Sequence, residues 1–406
     1  MLQLSHNEEF VKLQNEGINY NLLGGNIVIV PNVPYLNPNK ELKAGTLVIQ
    51  LTTAGNTLLP PSDHTAHWVG ECPSYPDGSE VRGLVNGAQT TNWGNGIVSN
   101  YFLSCKPTEY ADGKYKSYYE KIKRYLLTIS SPAEVLYPEE CKKMRKPVII
   151  QEEEIPFVYG DTNSSRAEIL GISETMKNQR VAIVGLGGTG AYLLDYLAKC
   201  PVAEIHLYDN DFFETHNAFR SPGAVSVETL SEHKTKVEYY AEVYGRMKKN
   251  ILPHCELITP ENVARLDDMD MVFICVDKVS VRTMIANHLI DNGRPFIDSG
   301  LGFDINGSGH ITGQVRVTTG VNGQYDHIKD AFGNQDIEDD LYASNIQVAE
   351  LNSLAAILSI LKWKRMLGFY GDATENDASF SYNVQGNSII PFSPANEIQD
   401  EQTAEQ

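Results

Sequence analysis

The stretch Val-Ala-Ile-Val-Gly-Leu-Gly-Gly-Thr-Gly, residues 181–190, decides the fold of the second half of this chain. Its first four residues form an apolar run typical of a buried strand, and the glycine-rich turn after them opens a helical pattern. In that context glycines let a phosphate approach the backbone at a helix N-terminus. The pattern predicts nucleotide binding by Gly185, Gly187, Gly188 and Gly190. The alternative is a turn whose glycines only permit close packing of strand and helix.

Strands and helices alternate after this turn. The further buried-strand candidates are residues 204–209, 271–277 and 295–300, and the clearest helical patterns are residues 233–250 and 280–293. This alternation predicts an α/β fold, a Rossmann-like and mostly parallel sheet with right-handed crossovers. A late apolar helix at residues 348–366 is expected to be largely buried. The chain has no GxxxxGK[ST] motif, so a P-loop NTPase is excluded.

The first half has a different pattern. Short apolar runs between about residues 24 and 107 are separated by Asn, Pro and Gly, which is typical of an antiparallel sheet with long loops. A helix is predicted within residues 115–129, where an apolar face at helical spacing is formed by Tyr118, Ile122, Tyr125 and Leu126. This half therefore reads as a smaller α+β domain that precedes the α/β domain.

Charge blocks, Pro and Gly mark the predicted boundaries. We expect an α+β domain at residues 1–145, a linker at 146–165, an α/β domain at 166–393 and a disordered acidic tail at 394–406.

The composition is that of a globular chain with an excess of acid. Among 406 residues, 33 Lys and Arg face 52 Asp and Glu, a formal net charge of −19, and 42% of the residues are hydrophobic. This charge disfavours binding to nucleic acid.

No apolar run approaches the roughly 18 residues of a membrane span, and no secretory signal pattern is present. Six scattered cysteines without a CxxC pair argue against a disulfide framework and a Cys₄ zinc knot, and we expect a cytoplasmic protein.

A dense polar segment, residues 209–220, follows the second strand. Asp209 is placed to accept hydrogen bonds from ribose hydroxyls, which a dehydrogenase would also require. Hydride transfer does not require the other charged and amide side chains of this segment, which include Asp211, Asn217 and Arg220. Lys236 begins the next helix and Asp277 closes a later strand at the same sheet edge, where a carboxylate can hold Mg²⁺ beside phosphate oxygens. Together these residues favour phosphoryl or nucleotidyl chemistry.

The runs GLGGTG, DNDFFETHNAFR, HKTK and FICVDKVSVR, in this order and spacing, resemble the ThiF/MoeB superfamily of adenylating enzymes that activate ubiquitin-like proteins. The resemblance covers about residues 160–320. It implies a Rossmann-like adenylating domain in which ATP·Mg²⁺ adenylates the C-terminal carboxylate of a ubiquitin-like or sulfur-carrier protein, with release of pyrophosphate. It also implies a homodimer.

The same resemblance implies the roles of individual residues. Nucleotide binding falls to Gly185, Gly187, Gly188, Gly190, Asp209, Asp211 and Asn217; the catalytic residues are Arg166, Arg220, Lys236 and Asp277, of which Asp277 holds Mg²⁺. Arg282 would lie behind Asp277, and Arg166 would reach into the site of the partner subunit. The physical reason for these types is charge, because a carboxylate that attacks a phosphate brings two anions together.

The chain departs from the family in its cysteines. Many relatives carry a thioester-forming cysteine after the last strand of the nucleotide site, but no cysteine follows Cys275 here, and paired zinc-binding cysteines are missing. Either the acyl-adenylate passes directly to an acceptor, or a hydroxyl such as Thr318 or Thr319 forms an oxyester. Lys278 also stands where the family often has an amide.

The N-terminal half resembles divergent bacterial relatives of ubiquitin-conjugating enzymes that are fused to such adenylating domains. Cys105 or Cys72 would then be an acceptor thiol, although a structural role and a docking module for the carrier or a conjugating enzyme are favoured. The rivals for the whole chain are a nucleotide-binding scaffold with weak or lost catalysis, a dinucleotide-dependent oxidoreductase, and adenylation of a small molecule or tRNA base. The acidic charge disfavours the tRNA branch.

Overall fold

The computed structural model describes residues 7–55, 57–144, 155–167, 169–321, 323, 325, 327, 328, 346–373 and 378–392. These residues divide into two compact units, with the division after Glu174. The predicted tail at 394–406 and residues 146–154 of the predicted linker lie outside the described part of the chain. The rest of the linker segment contains the start of a short helix, Thr162–Arg166.

Two sheets hold the strands described in the first unit. In chain order the strands are β1 (Asn21–Leu23), β2 (Ile27–Leu36), β3 (Leu42–Gln50), β4 (Thr53–Ala54), β5 (Thr57–Leu58), β6 (Thr65–Val69), β7 (Val85–Gly94) and β8 (Ile97–Ser104). Six of them form an antiparallel sheet in the order β1-β2-β3-β6-β8-β7, and β4 pairs with β5. Glycine is required at Gly45 on β3, because a Cβ atom there would lie 2.2 Å from the indole ring of Trp68.

Helices pack against both faces of this sheet. They are α1 (Glu8–Asn15), α2 (Tyr118–Leu136), α3 (Pro138–Met144), α4 (Thr162–Arg166) and α5 (Leu170–Ser173), followed by a 3₁₀ turn at Glu174–Met176. The predicted apolar face of α2 is buried at Tyr118, Ile122 and Tyr125, against strand residues such as Val28 and Leu47. The predicted α+β domain is therefore confirmed.

The second unit contains a larger sheet between helices. Its strands are β9 (Arg180–Val184), β10 (Glu204–Tyr208), β11 (Ile251–His254), β12 (Met271–Ile274), β13 (Phe296–Ile305), β14 (Ile311–Gly320), β15 (Ser379–Asn383) and β16 (Ser388–Phe392). Its helices are α6 (Gly188–Leu197), α7 (Thr215–Ala218), α8 (Val227–Ser231), α9 (Lys236–Gly245), α10 (Val279–Asp291) and α11 (Ala349–Met366), with a 3₁₀ turn at Val263–Leu266.

The sheet order is β11-β10-β9-β12-β13-β14-β15-β16. The first five strands in this order run parallel, and β14, β15 and β16 add to them in antiparallel fashion. The predicted mostly parallel sheet is confirmed, while the antiparallel extension was not predicted.

The central parallel strands β9, β10 and β12 bury both of their faces. On β9, Val181 and Ile183 pack against α6, α9 and α11, whereas Ala182 and Val184 pack beneath α10 on the other side. This explains why the strand sequence is apolar throughout rather than alternating. The late helix α11 is buried as predicted, since Ala355, Ala356, Ile360 and Trp363 are all at most 6% exposed.

Strand order reverses next to β9. The chain runs from β9 through α6 to β10 on one side, and later returns to β12 on the other side. The carboxyl ends of β9 and β12 are thus a topological switch point, where open α/β sheets bind their ligands. In the described part of the chain, no helix is long and apolar enough to cross a membrane.

A buried lysine gives the second unit a testable pH dependence. Lys248 is 1% exposed, and its ammonium donates hydrogen bonds to the carbonyls of Cys200 and Val202 after α6. Burial lowers the pKa of Lys248 to about 7.

We expect Lys248→Met to remove this pH dependence from the stability of the unit. The native lysine loses its proton above about pH 7, whereas the unfolded chain keeps it up to about pH 10.4. The unfolded state therefore binds more protons in this window, so the free energy of unfolding of wild type rises relative to the variant by up to about 1.4 kcal/mol per pH unit. Urea titrations of both proteins at about pH 7 and about pH 9 measure this difference. Equal pH slopes would contradict the assignment.

Candidate active site

A cavity of about 660 Å³ opens at the switch point of the second unit. Its lining combines the glycine turn after β9, the segments that follow β10, β11 and β12, and residues of β13. This volume lies within the range of about 300–1,000 Å³ that small-molecule sites occupy.

The four glycines of the turn have different steric environments. Gly185 has a φ of +93°, and a Cβ atom there would lie 2.8 Å from the carbonyl oxygen of Cys275. A Cβ atom on Gly190 would lie 1.9 Å from the carbonyl oxygen of Gly185, and one on Gly188 would lie 2.1 Å from the amide nitrogen of Asn352. These three positions therefore require glycine, because they pack closely against helix α11, the loop after β12 and the end of β9.

Gly187 is the position open to a ligand. It lines the cavity, and nothing lies within 4 Å of the place where its Cβ atom would be. It is also the N-cap of α6 and supplies no side-chain hydrogen bond to the first turn. The first-turn amides and the positive end of the helix dipole therefore remain available to an anion.

Asp209 ties the glycine turn to the polar segment after β10. Its buried carboxylate accepts hydrogen bonds from the backbone amides of Leu186, at 2.7 Å, and Asp211, at 2.9 Å. Lys236 lies 3.4 Å from both of its oxygens. Asp209 thus has a structural role that the sequence did not reveal, in addition to its place in the cavity lining.

Lys236 points back into the crevice, as the sequence predicts. A capping box of Thr235 and Glu238 begins α9, which makes Lys236 its first residue. The Lys236 ammonium lies 2.7 Å from the Asp211 carboxylate, and its side chain is only 7% exposed. Two carboxylates therefore hold one buried cation at the cavity wall.

Arg220 and Asn217 are placed differently. Arg220 lines the cavity, and its buried Nε has no hydrogen-bond partner among the described residues. Asn217 does not line the cavity; its side-chain oxygen accepts a hydrogen bond of 2.9 Å from the amide of Glu214, at the start of α7. The structure brings Arg220 to the site and places Asn217 in the support of the loop that carries it.

Asp277 lies in a loop. β12 ends at Ile274, so the prediction that Asp277 closes the strand is wrong by three residues. It lines the cavity and is exposed, and it makes no ion pair with any described residue. The early end of the strand frees the loop to turn toward the glycine turn.

The expected position of Arg282 behind Asp277 agrees with the structure, in which Arg282 contacts the backbone next to Asp277. Its Nε donates 2.9 Å to the carbonyl of Val276 and lies 3.3 Å from the carboxylate of Asp298. The acid that pairs with Arg282 is therefore Asp298, because strand β13 brings that carboxylate under the loop.

The acidic and basic side chains around the cavity are equal in number. The acids are Asp209, Asp211, Glu256 and Asp277, and the bases are Arg220, Lys236, Lys278 and Arg282. A triphosphate added to this balanced set brings excess negative charge, which a divalent cation would offset. No described cluster of three or more His, Cys, Asp or Glu could hold a metal alone. Asp277 with phosphate oxygens matches how Mg²⁺ is usually bound.

The two hydroxyls named for an oxyester are buried, which disfavours Thr318 and Thr319 in that role. Thr318 is 0% exposed and shares a 3.0 Å hydrogen bond with Ser379, while Thr319 is 1% exposed and donates to the carbonyl of Ala378. The thiol of Cys275 is also unsuited to attack, since burial and the neighbouring Asp298 raise its pKa to about 12.

The other predicted residues lie in the first unit. Burial and Glu80 raise the pKa of Cys72 to about 11, which disfavours its thiolate. Cys105 is partly buried beside the core beneath α2. Arg166 ends helix α4, and its side chain lies outside the described atoms, so its role stays a prediction.

Sequence reasoning missed Asn352, Glu256 and Asp298. Asn352 on α11 is fully buried, and its side-chain oxygen accepts a hydrogen bond of 3.1 Å from Thr189 in the first turn of α6. An asparagine within a helix predicted to be largely buried was the available signal. Glu256 and Asp298 follow or lie on strands without a distinctive local pattern.

Comparison with known proteins divides the chain in two. Residues 165–391 match the model of the ThiF family, and residues 8–162 match a domain of unknown function, DUF6791.

Several named proteins are similar to the second part. Ubiquitin-like modifier-activating enzyme 5 of Dictyostelium discoideum is 28% identical over 149 residues, which are 34% of this chain and 39% of that protein. Molybdopterin-synthase adenylyltransferase of Salmonella typhimurium is 35% identical over 125 residues, 28% of this chain and 45% of that protein. The chain thus matches less than half the length of these relatives. A crystal structure of E. coli MccB with MccA-N7isoASN aligns with a TM-score of 0.47 and 17% identity, covering 57% of this chain and 71% of that chain.

The glycine environments predict that two alanine substitutions lower the free energy of unfolding by different amounts. Gly190→Ala places a methyl group against the Gly185 carbonyl, and we expect a loss of about 1–3 kcal/mol or more, typical of overpacking. Gly187→Ala meets open space at a negative φ of −69°, so we expect only the cost of a poorer N-cap, about 1 kcal/mol or less in the free energy of unfolding. Urea unfolding of both variants provides the test. Equal destabilisation would show that the turn is not packed as described.

Proposed function

Because this chain belongs to the ThiF family, we propose that it transfers AMP from ATP·Mg²⁺ to the C-terminal carboxylate of a ubiquitin-like or sulfur-carrier protein. One observation carries the proposal: Arg220, Lys236 and Asp277 converge on a cavity beside the open face of Gly187. The names of the relatives support the class of substrate.

The proposed step forms an acyl-adenylate. A carboxylate oxygen of the carrier attacks the α-phosphorus and forms the mixed anhydride bond. The bond between the α-phosphorus and the oxygen bridging to the β-phosphorus breaks, and pyrophosphate leaves with that electron pair. The carboxylate reacts in its ionised form, so no general base is required.

The chain's bases reduce the repulsion between two anions. Lys236 is already held at the cavity wall by Asp209 and Asp211, so little rearrangement is needed before it meets a phosphate. Arg220 contributes a guanidinium whose buried Nε lacks a partner among the described residues. Preorganised donors of this kind are worth roughly 10²–10³ each in the rate of related reactions.

Mg²⁺, when bound, would neutralise charge on the phosphates. Asp277 is the carboxylate proposed to hold it, because it lines the cavity and is exposed without an ion pair among the described residues. Asp209 is instead committed to the amides of Leu186 and Asp211.

The remaining predictions belong to the same proposal. We propose a cytoplasmic homodimer in which Arg166 completes the partner's site, and a first unit that docks the carrier or a conjugating enzyme. The acyl-adenylate would pass directly to its acceptor. The alternative is a nucleotide-binding scaffold in which catalysis is weak.

Asp277→Ala is expected to weaken binding of ATP·Mg²⁺ by at least about tenfold, because the cavity loses its carboxylate for the metal. Calorimetric titration of wild type and variant with ATP, with and without Mg²⁺, measures the change. Asp291→Ala, at the exposed far end of α10, is the matched control and should bind as wild type does.

The same titration separates the rival functions. Saturable binding of ATP·Mg²⁺ and none of NAD supports adenylation, whereas binding of NAD alone favours an oxidoreductase. If the folded wild-type protein does not bind ATP, the proposed function is wrong. If the protein binds ATP·Mg²⁺ but releases no pyrophosphate in the presence of a cognate carrier, the result favours the alternative of a nucleotide-binding scaffold.

Mixed dimers test Arg166. We expect Arg166→Ala and Asp277→Ala each to bind ATP·Mg²⁺ weakly, and an equimolar, fully exchanged mixture to regain wild-type affinity at about a quarter of its sites. The reason is that each heterodimer then holds one intact composite site. No recovery in a mixture shown to exchange subunits would place Arg166 outside the partner's site.

A further inference from the structure

Asp298 is a buried carboxylate that the proposed reaction does not use. It lies on β13, is 0% exposed, and is absent from the cavity lining. Neither of its oxygens accepts a hydrogen bond from a described residue. Its neighbours are two guanidinium groups, that of Arg282 at 3.3 Å and that of Arg316 at 3.8 Å.

Arg282 links the Asp277 loop to the sheet. The loop runs from residue 275 to residue 278, between β12 and α10. The Arg282 side chain, 4% exposed, donates through Nε to the carbonyl of Val276 and through a terminal nitrogen to the carbonyl of Ser299 on β13. The residue next to Val276 is Asp277, so this arginine fixes the backbone that carries the proposed metal-binding carboxylate.

A buried guanidinium needs a nearby anion. Removal of one partner from a buried ion pair leaves an uncompensated charge in a medium of low dielectric, and such a charge moves toward water if the structure permits. Arg282 lines the cavity together with Val276 and Ser299, so without a nearby anion its guanidinium can leave their carbonyls for solvent in the cavity. Asp298 is the acid that keeps it in place.

Resting on the proposed function, we infer that Asp298 is a positioning residue that holds the Asp277 loop in its metal-binding position through Arg282. Arg316 contributes less to this, because its side chain is 22% exposed, lies farther from the carboxylate, and makes no described contact with the loop. The isosteric change Asp298→Asn removes the charge and keeps the shape, so it isolates the electrostatic effect.

The first measurement needs no nucleotide. Hydrogen exchange of the amides at residues 275–278 is compared between wild type and Asp298→Asn, and we expect roughly tenfold faster exchange in the variant from local opening of the loop. Arg316→Gln is the matched control, because it removes the other guanidinium neighbour of the same carboxylate. It should leave exchange in the loop at the wild-type rate.

The second measurement is the Mg²⁺ concentration at which ATP binding reaches half its maximum. Loss of a residue that orients a metal ligand typically weakens metal affinity 10- to 100-fold, so we expect the half-saturating Mg²⁺ concentration to rise about tenfold in Asp298→Asn. A residue that merely stabilises the fold would lower the unfolding midpoint without moving this concentration.

Distinct results overturn the inference and the proposed function. A folded Asp298→Asn protein with wild-type loop exchange and wild-type Mg²⁺ dependence overturns the inference, as does an equal effect of Arg316→Gln. If Asp298→Asn does not fold, Arg282→Lys replaces it; the lysine keeps the charge but cannot bridge both carbonyls, so the same loosening is expected. If wild type binds no ATP, the proposed function fails, while loop exchange still decides the role of Asp298.

Discussion

The close approach of Gly190 to the carbonyl of Gly185 is the constraint on which the site depends. It lets α6 begin directly against the end of β9, at the point where the strand order reverses. Any larger residue would push the helix away and move its N-terminal amides from the cavity. The open position at Gly187 exposes the first-turn amides to the cavity because the glycines on either side, Gly185, Gly188 and Gly190, are closely packed.

Two carboxylates extend this constraint to the rest of the site, each by holding a loop. Asp209 binds the amides of Leu186 and Asp211 and so joins the glycine turn to the segment after β10. Asp298 balances Arg282, which ties the loop after β12 to β13. The polar groups around the cavity therefore depend on two buried acids, of which Asp209 belongs to the lining and Asp298 does not.

The sequence predicted what short-range patterns encode. The glycine turn, the apolar strands and the stripe of α9 each arise within one element, and Lys236 could be placed because it begins a helix. The pairing of Arg282 with Asp298, the burial of Thr318 and the contact of Asn352 with Thr189 depend on residues distant in sequence. Only the tertiary packing of strands and helices brings them together. The antiparallel extension was missed because its residues Ile311–Gly320 do not alternate cleanly between apolar and polar.

Charge acts at two distances in this protein. The chain as a whole carries a formal charge of −19, which repels ATP and any acidic carrier at long range. At physiological ionic strength that repulsion fades beyond about 8 Å, so the balanced set around the cavity governs what a nucleotide meets on arrival. In the proposed function, a carrier would approach this acidic surface before its tail reached the cavity. The net charge then favours a carrier whose docking face is basic while its reacting terminus is a carboxylate, so that different parts of the same molecule supply attraction and chemistry.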